Sequence, residues 1–206
     1  MIKKRAKEKQ INLFDIIEEE IKDNSLRQGF SRNLIKYSKK LIQKKTSEHR
    51  DFTHIPFVTI DGKDSRDFDD AIWSSNQDSR SKIFIAIADV SFYVKEGDPL
   101  DEEAKKRGNS FYFPDRVIPM LPEEISNNLC SLIPNKERKS IIIEAELNSG
   151  LLKNYKIHRG IIKSIGRLTY DQADEILFLR KLKNKYFKII NDLFKTYDFL
   201  REKSHN

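Results

Sequence analysis

Ile11, Phe14, Ile17 and Ile21 recur at the three-and-four spacing of one helical face and predict a helix over residues 11–22. A second, basic helical pattern runs over residues 26–45, and Asp23-Asn-Ser-Leu26 offers a cap between the two. Neither segment contains proline and Gly29 is their only glycine, so residues 1–50 read as a basic helical arm. The texture then changes. Phe57-Val-Thr-Ile60 predicts a short strand that delivers Asp61 at its end, followed by a loop over residues 62–66. Phe68 to Trp73 predicts the start of a second strand, residues 74–81 (SSNQDSRS) a polar connection, and the nearly all-apolar Lys82 to Val90 a third, central strand.

Asp98-Pro99 reads as cap and first residue of a short helix that ends at Gly108. Ser110 to Phe113 is extended up to Pro114, with Phe111 and Phe113 on the core side if it alternates, and Leu121 to Ser126 is a helical turn. Lys139 to Leu147 predicts another strand, and the Asn-Ser-Gly turn at 148–150 folds it back on Leu151 to Gly160 as a hairpin. Thr169 to Leu182 and Asn184 to Glu202 read as helices. The predicted class is α+β: a mixed, largely antiparallel sheet packed by helices and preceded by the arm.

Composition narrows the chemistry. One cysteine, Cys130, excludes an intrachain disulfide and the Cys-rich zinc sites, and its apolar Leu-Cys-Ser-Leu setting suits a buried small side chain. A single cysteine suits a reducing cytoplasm, the basic start has no apolar run behind it and is not a secretory signal, and no apolar run reaches the roughly 18 residues of a membrane span, so a membrane partner is not expected. Charge is uneven: residues 1–50 carry 14 basic and 7 acidic side chains, residues 51–150 carry 12 and 19, and residues 151–206 carry 13 and 6. Basic flanks suit a polyanion, and an acidic centre suits a metal that must meet it.

That centre holds Asp61, Asp64, Asp67, Asp69 and Asp70 within ten residues. Like charges so close raise one another's cost of ionising, and a divalent cation is the simplest compensation. Hard carboxylate oxygens suit Mg²⁺. On a strand, Asp67 and Asp69 face one way and Asp70 the other, and Gly62 lets Asp61 converge on them. Four carboxylates around one cavity can hold one or two Mg²⁺ ions, and a pair about 4 Å apart clamps the attacking and leaving oxygens of a phosphodiester. The order of residues does not fit an EF-hand, and His49, His54, His158 and His205 lie in no recognisable nucleophile context.

Four segments in order, Thr59 to Ala71, Ile87-Ala-Asp-Val-Ser91, Tyr112 to Pro122 and Ser126 to Leu132, continued by Arg167-Leu-Thr-Tyr170, resemble the RNB catalytic domain of the RNase II superfamily, nearest its bacterial RNase R branch. The resemblance covers about residues 51–180. It implies a Mg²⁺-dependent 3′→5′ exoribonuclease that releases nucleoside 5′-monophosphates from single-stranded RNA. It implies that Asp61, Asp67, Asp69 and Asp70 are metal-centre carboxylates, with Asp69 most directly tied to the chemistry, and that Tyr112 stacks on the 3′-terminal base. Phe92 and Asn128 depart from the family's usual histidine or tyrosine and glycine. Residues 51–206 correspond to only the first part of such a domain, so a truncated or split form is expected, with a second chain as a partner carrying the rest. A catalytically inactive RNA-binding remnant is the alternative.

Overall fold

A computed structural model describes residues 12–41 and 49–204. The predicted class holds. Seven strands form one sheet in the order β1 (Arg50–Asp51), β8 (Leu151–Lys163), β7 (Glu137–Asn148), β4 (Arg80–Ala88), β3 (Asp70–Gln77), β2 (Val58–Asp61), β9 (Gly166–Thr169). The four inner pairings are antiparallel, while β1 joins β8 and β9 joins β2 in parallel. β4 is the middle strand, as its continuous apolar run predicts. A separate two-stranded hairpin pairs β5 (Phe111–Tyr112) with β6 (Val117–Ile118).

The main core lies on one face of the sheet. Phe84, Ala86 and Ala71 point into it beside Phe57, Ile142 and Ile162, and the cover comes from Leu100, Leu121, Ile125 and Leu132. Leu100 belongs to α4 (Pro99–Arg107), which Asp98 caps and Gly108 ends, as predicted. The predicted turn after Leu121 is a π-helical segment, Glu124–Leu129, in which Asn128 donates to Glu124. Asn128 is not among the described residues of positive φ, so the usual glycine is not needed there. Phe92, in the short helix α3 (Val90–Tyr93), packs edge-on against His49 and Tyr93.

The first helix is α1 (Leu13–Asp23), close to its predicted span, with Ile17 and Ile21 buried. The second, α2 (Arg32–Ser38), is shorter than predicted and is capped by Ser31 rather than by residues 23–26, since the Ser31 hydroxyl accepts from Leu34 N–H. Residues 42–45 of that prediction lie outside the described residues.

Two other expectations are corrected. The second strand begins at Asp70, not Phe68, because Phe68 is drawn sideways onto Ser131 and Leu132. Residues 74–81 are mostly strand, with only Asp78 and Ser79 between β3 and β4. The polar Ser74 and Asn76 are accommodated within β3 because a helix satisfies them. That helix is α6 (Phe187–Ser204), where the Asp192 carbonyl accepts from both side chains and the Thr196 hydroxyl lies 2.7 Å from Ser74 Oγ. The 148–150 turn is correct: Ser149 and Gly150 both have positive φ, the geometry that closes a two-residue hairpin.

α5 (Tyr170–Phe178) starts from a capping box between Thr169 and Gln172 and packs with α6 beside β9 around Leu168, Ile176 and Ile190. It ends earlier than predicted, at a segment where Arg180 takes positive φ. Exposed apolar side chains collect on β8 (Leu151, Tyr155, Ile157), at the end of α5 (Phe178) and just after it (Leu179, Leu182). Among the described residues no helix is long and apolar enough to cross a membrane.

Candidate metal and RNA site

The aspartates sit where two neighbouring strands start and stop. Asp61 is the last residue of β2 and Asp70 the first of β3. The antiparallel register Val58↔Ile72, carried on by three residues, sets Asp61 across from Asp69. Asp67 and Asp69 lie in the connecting loop, so strand alternation does not govern which way they face.

That loop is pinned from two sides. Phe68 N–H donates to Ser131 Oγ at 3.0 Å, Ser131 Oγ donates to the Arg66 carbonyl at 3.0 Å, and Leu132 N–H donates to the Phe68 carbonyl at 2.8 Å. Ala88 N–H takes the Asp69 carbonyl at 2.8 Å. From β9, Arg167 donates to the Gly62 and Lys63 carbonyls at 2.6 and 2.8 Å, and its guanidinium lies 5.4 Å from the Phe68 ring centre. Sequence reasoning gave Ser131 and Arg167 no role. Both lie in segments that carry the family resemblance, but what they do shows only in the contacts they make across the fold.

The carboxylates share one electrostatic field. Asp69 is pushed up to about 6, first by the packing around its carboxyl and then by Asp67, Asp70 and Asp61. Asp61 is raised by burial and by Asp70 and Asp67, while Thr59 and the Arg167 guanidinium pull it back. Asp61 Oδ2 is buried and has no hydrogen-bond partner. Asp67 Oδ2 accepts from the Tyr112 hydroxyl at 2.9 Å. Asp61 and Asp67 are half-buried and Asp69 and Asp70 exposed, so the group opens to solvent.

An orphaned carboxylate oxygen among hard, mutually repelling oxygen donors fits a Mg²⁺ ion. Asp61, Asp67, Asp69 and Asp70 are the residues that would hold it. Their side chains are not gathered into a finished ligand set: among the described residues no three acidic, histidine or cysteine side chains meet as a metal-binding group.

A cavity of about 670 Å³ opens beside Asp67, lined among others by Lys63, Arg66, Tyr112, Arg116 and Asn127. Lys63 and Arg66 bring exposed positive charge to it. Arg116 is tied to Glu18 and Asp115, and Arg107 to backbone carbonyls of residues 27, 29 and 119, so both serve the scaffold. Tyr112 is 67% exposed at the cavity, while Phe111 and Phe113 turn back to pack on Ile17, Ile21 and Ile118. The expected alternation therefore holds. His49 is buried against Asp89 at 3.3 Å and His158 lies against Glu144 at 3.0 Å; His205 is outside the described residues. Burial pushes the Cys130 thiol up to about 12, which suits an inert core side chain.

Residues 49–205 match the RNB domain family. The chain is 45% identical over 170 residues to ribonuclease R of Buchnera aphidicola subsp. Acyrthosiphon pisum, covering 79% of this chain and 23% of that protein. It is 42% identical over 161 residues to ribonuclease R of Escherichia coli K12, covering 74% and 20%. Among solved structures, Mycoplasma genitalium RNase R in complex with ribose-methylated single-stranded RNA superposes with a TM-score of 0.84 at 31% identity, over 93% of this chain and 31% of that one. The chain thus spans about a fifth to a quarter of the length of these curated relatives.

Proposed function

This chain belongs to the RNB-domain family of the RNase II superfamily, and from that premise we propose that it carries the carboxylate side of a 3′→5′ exoribonuclease centre that takes single-stranded RNA. Residues 51–206 supply the N-terminal part of the catalytic domain and residues 1–50 a basic arm. The observation that carries the reading is Asp61 Oδ2, buried and unpartnered, in a field shared with Asp67, Asp69 and Asp70, with Asp67 on the wall of a cavity that bears Lys63 and Arg66.

When bound, Mg²⁺ lowers the pKa of a water and offsets charge on the phosphodiester. The chain's own residues do the rest. Arg167 and Ser131 hold the 62–69 loop, which sets Asp67 on the cavity wall and Asp69 beside it in sequence. Lys63 and Arg66 attract the phosphates, and the Tyr112 ring offers a platform for the terminal base. Products are nucleoside 5′-monophosphates. The exposed apolar surfaces of β8 and of the end of α5 and the segment after it are where further parts of an RNB domain would pack.

The test is Mg²⁺-dependent release of nucleoside monophosphates from poly(A) by the full chain, alone and with a polypeptide supplying the rest of an RNB domain, against Asp69→Asn. No release by wild type in either setting removes the enzyme. A second reading is an RNA-binding remnant with an inactive centre, favoured by the incomplete gathering of the carboxylates among the described residues. It predicts salt-dependent RNA binding that Asp69→Asn leaves intact, with no cleavage under any condition.

A further inference from the structure

We propose that helix α1 is a brace for the β5–β6 hairpin, and that Ile17, Ile21 and Glu18 are positioning residues that aim Tyr112 at the carboxylate site. The proposal rests on the reading of Tyr112 as the base-stacking side chain.

The hairpin is too small to hold itself. Its ladder has two rungs, Phe111↔Ile118 and Tyr112↔Val117, and short isolated hairpins are marginal in water without something packed on one face. Its two faces have different neighbours. The back face presents Ile118, which is buried against Ile17 and Ile21 of α1, with Leu26, Phe111 and Phe113 around them. The front face presents Tyr112, whose hydroxyl donates to Asp67 Oδ2. A strand has two sides, so whatever holds Phe111 and Phe113 on one of them sets the direction of Tyr112 on the other.

Polar contacts act in the same sense. The connection between β5 and β6 is closed by Phe113 N–H donating to the Arg116 carbonyl at 2.9 Å. Arg116 in turn donates to Glu18 of α1 at 2.6 Å, with its guanidinium 5.3 Å from the Phe14 ring. At the hairpin's exit Arg107 joins the two parts through one side chain: it donates to the Pro119 carbonyl and to the Arg27 and Gly29 carbonyls that follow α1. A helix some ninety residues earlier in the chain is thereby coupled to the rim of the site.

Two measurements on the full chain test this. The first is hydrogen exchange without RNA. In the double variant Ile17→Ala/Ile21→Ala, amides of residues 111–118 should lose protection by about tenfold or more, while β4 and β7 keep theirs. An unchanged hairpin overturns the brace whatever the protein does with RNA. The second is a double-mutant cycle with an oligo(A) carrying 2-aminopurine at its 3′ end. Loss of stacking should weaken binding by about tenfold in Ile17→Ala/Ile21→Ala and in Tyr112→Ala alike, with no further loss when the two are combined. Ile17→Val/Ile21→Val should restore wild-type values. Additive losses, or weaker binding that persists with the hairpin amides protected, would show α1 acting by another route and overturn the proposal. If Tyr112→Ala leaves 2-aminopurine binding unchanged, the stacking reading itself fails; exchange at residues 111–118 then still decides whether α1 holds the hairpin.

Discussion

Asp69→Asn should make the protein more stable at neutral pH. The carboxyl of Asp69 titrates near 6 in the folded chain against its ordinary 3.8, because of the packing around it and then Asp67, Asp70 and Asp61. A group whose folded value is raised binds more protons folded than unfolded between those two values. Stability therefore falls as pH rises from 3.8 to about 6, and above that the charged Asp69 is a constant cost. Two units correspond to about 3 kcal/mol before screening. Asp69 lies at the surface, so a cost of about 1 kcal/mol is the sounder expectation. Urea denaturation should then show the variant about 1 kcal/mol more stable than wild type at pH 7, a midpoint rise of about 2–4 °C on heating, and no difference at pH 3.5. Added Mg²⁺ should reverse the order, stabilising wild type by about 2.7 kcal/mol at a hundred times its dissociation constant and the variant by less. A variant less stable at pH 7 without Mg²⁺, or a gap of the same size at both pH values, refutes the cost that packing and the neighbouring carboxylates place on the charged Asp69.

Three further outcomes follow from single residues. Tyr112→Phe should keep most RNA affinity, since the ring remains, whereas Tyr112→Ala should lose about 1–3 kcal/mol in fluorescence titrations with oligo(A). Gly160→Ala should destabilise by about 1–3 kcal/mol in denaturant melts, because an added Cβ would run into Ile142 and Phe52 with no flexible surface group to yield. Cys130 should resist thiol reagents at pH 8 in the folded protein and react once denatured, given its burial and its thiol near 12; rapid labelling of the native chain would contradict the packing around it.

Most of the fold was legible because it follows local rules. The Asp98-Pro99 start and Gly108 stop of α4 and the Ser149-Gly150 turn each satisfy a backbone requirement within a few residues. The misread strand boundaries around β3 share one cause, a partner distant in sequence. Ser74 and Asn76 look like loop residues until Asp192 and Thr196 are set against them. Phe68 looks like the start of a strand until Ser131 and Leu132 take its backbone groups. The edge strand β9 was missed because Gly166 to Thr169 is short and earns its pairing only beside β2.

The same division runs through the candidate site and explains its form. Clustered aspartates could be seen in the chain as an electrostatic difficulty, but not what keeps them clustered. The answer lies mainly in backbone carbonyls, with the Arg167 guanidinium as a counter-charge to Asp61. Arg167 donates through Nη2 to the carbonyls of Gly62 and Lys63, and Ser131 bridges Arg66 and Phe68, so the loop is held through its backbone and not through the carboxylate oxygens, of which Asp67 Oδ2 meets the Tyr112 hydroxyl and Asp61 Oδ2 meets nothing. Direct arginine pairing of each aspartate would have been the more stabilising arrangement at neutral pH, and it would have filled the coordination positions that a cation needs. A loop fixed through its backbone, with its acidic side chains left in mutual repulsion, is the arrangement the proposed divalent-ion site would need.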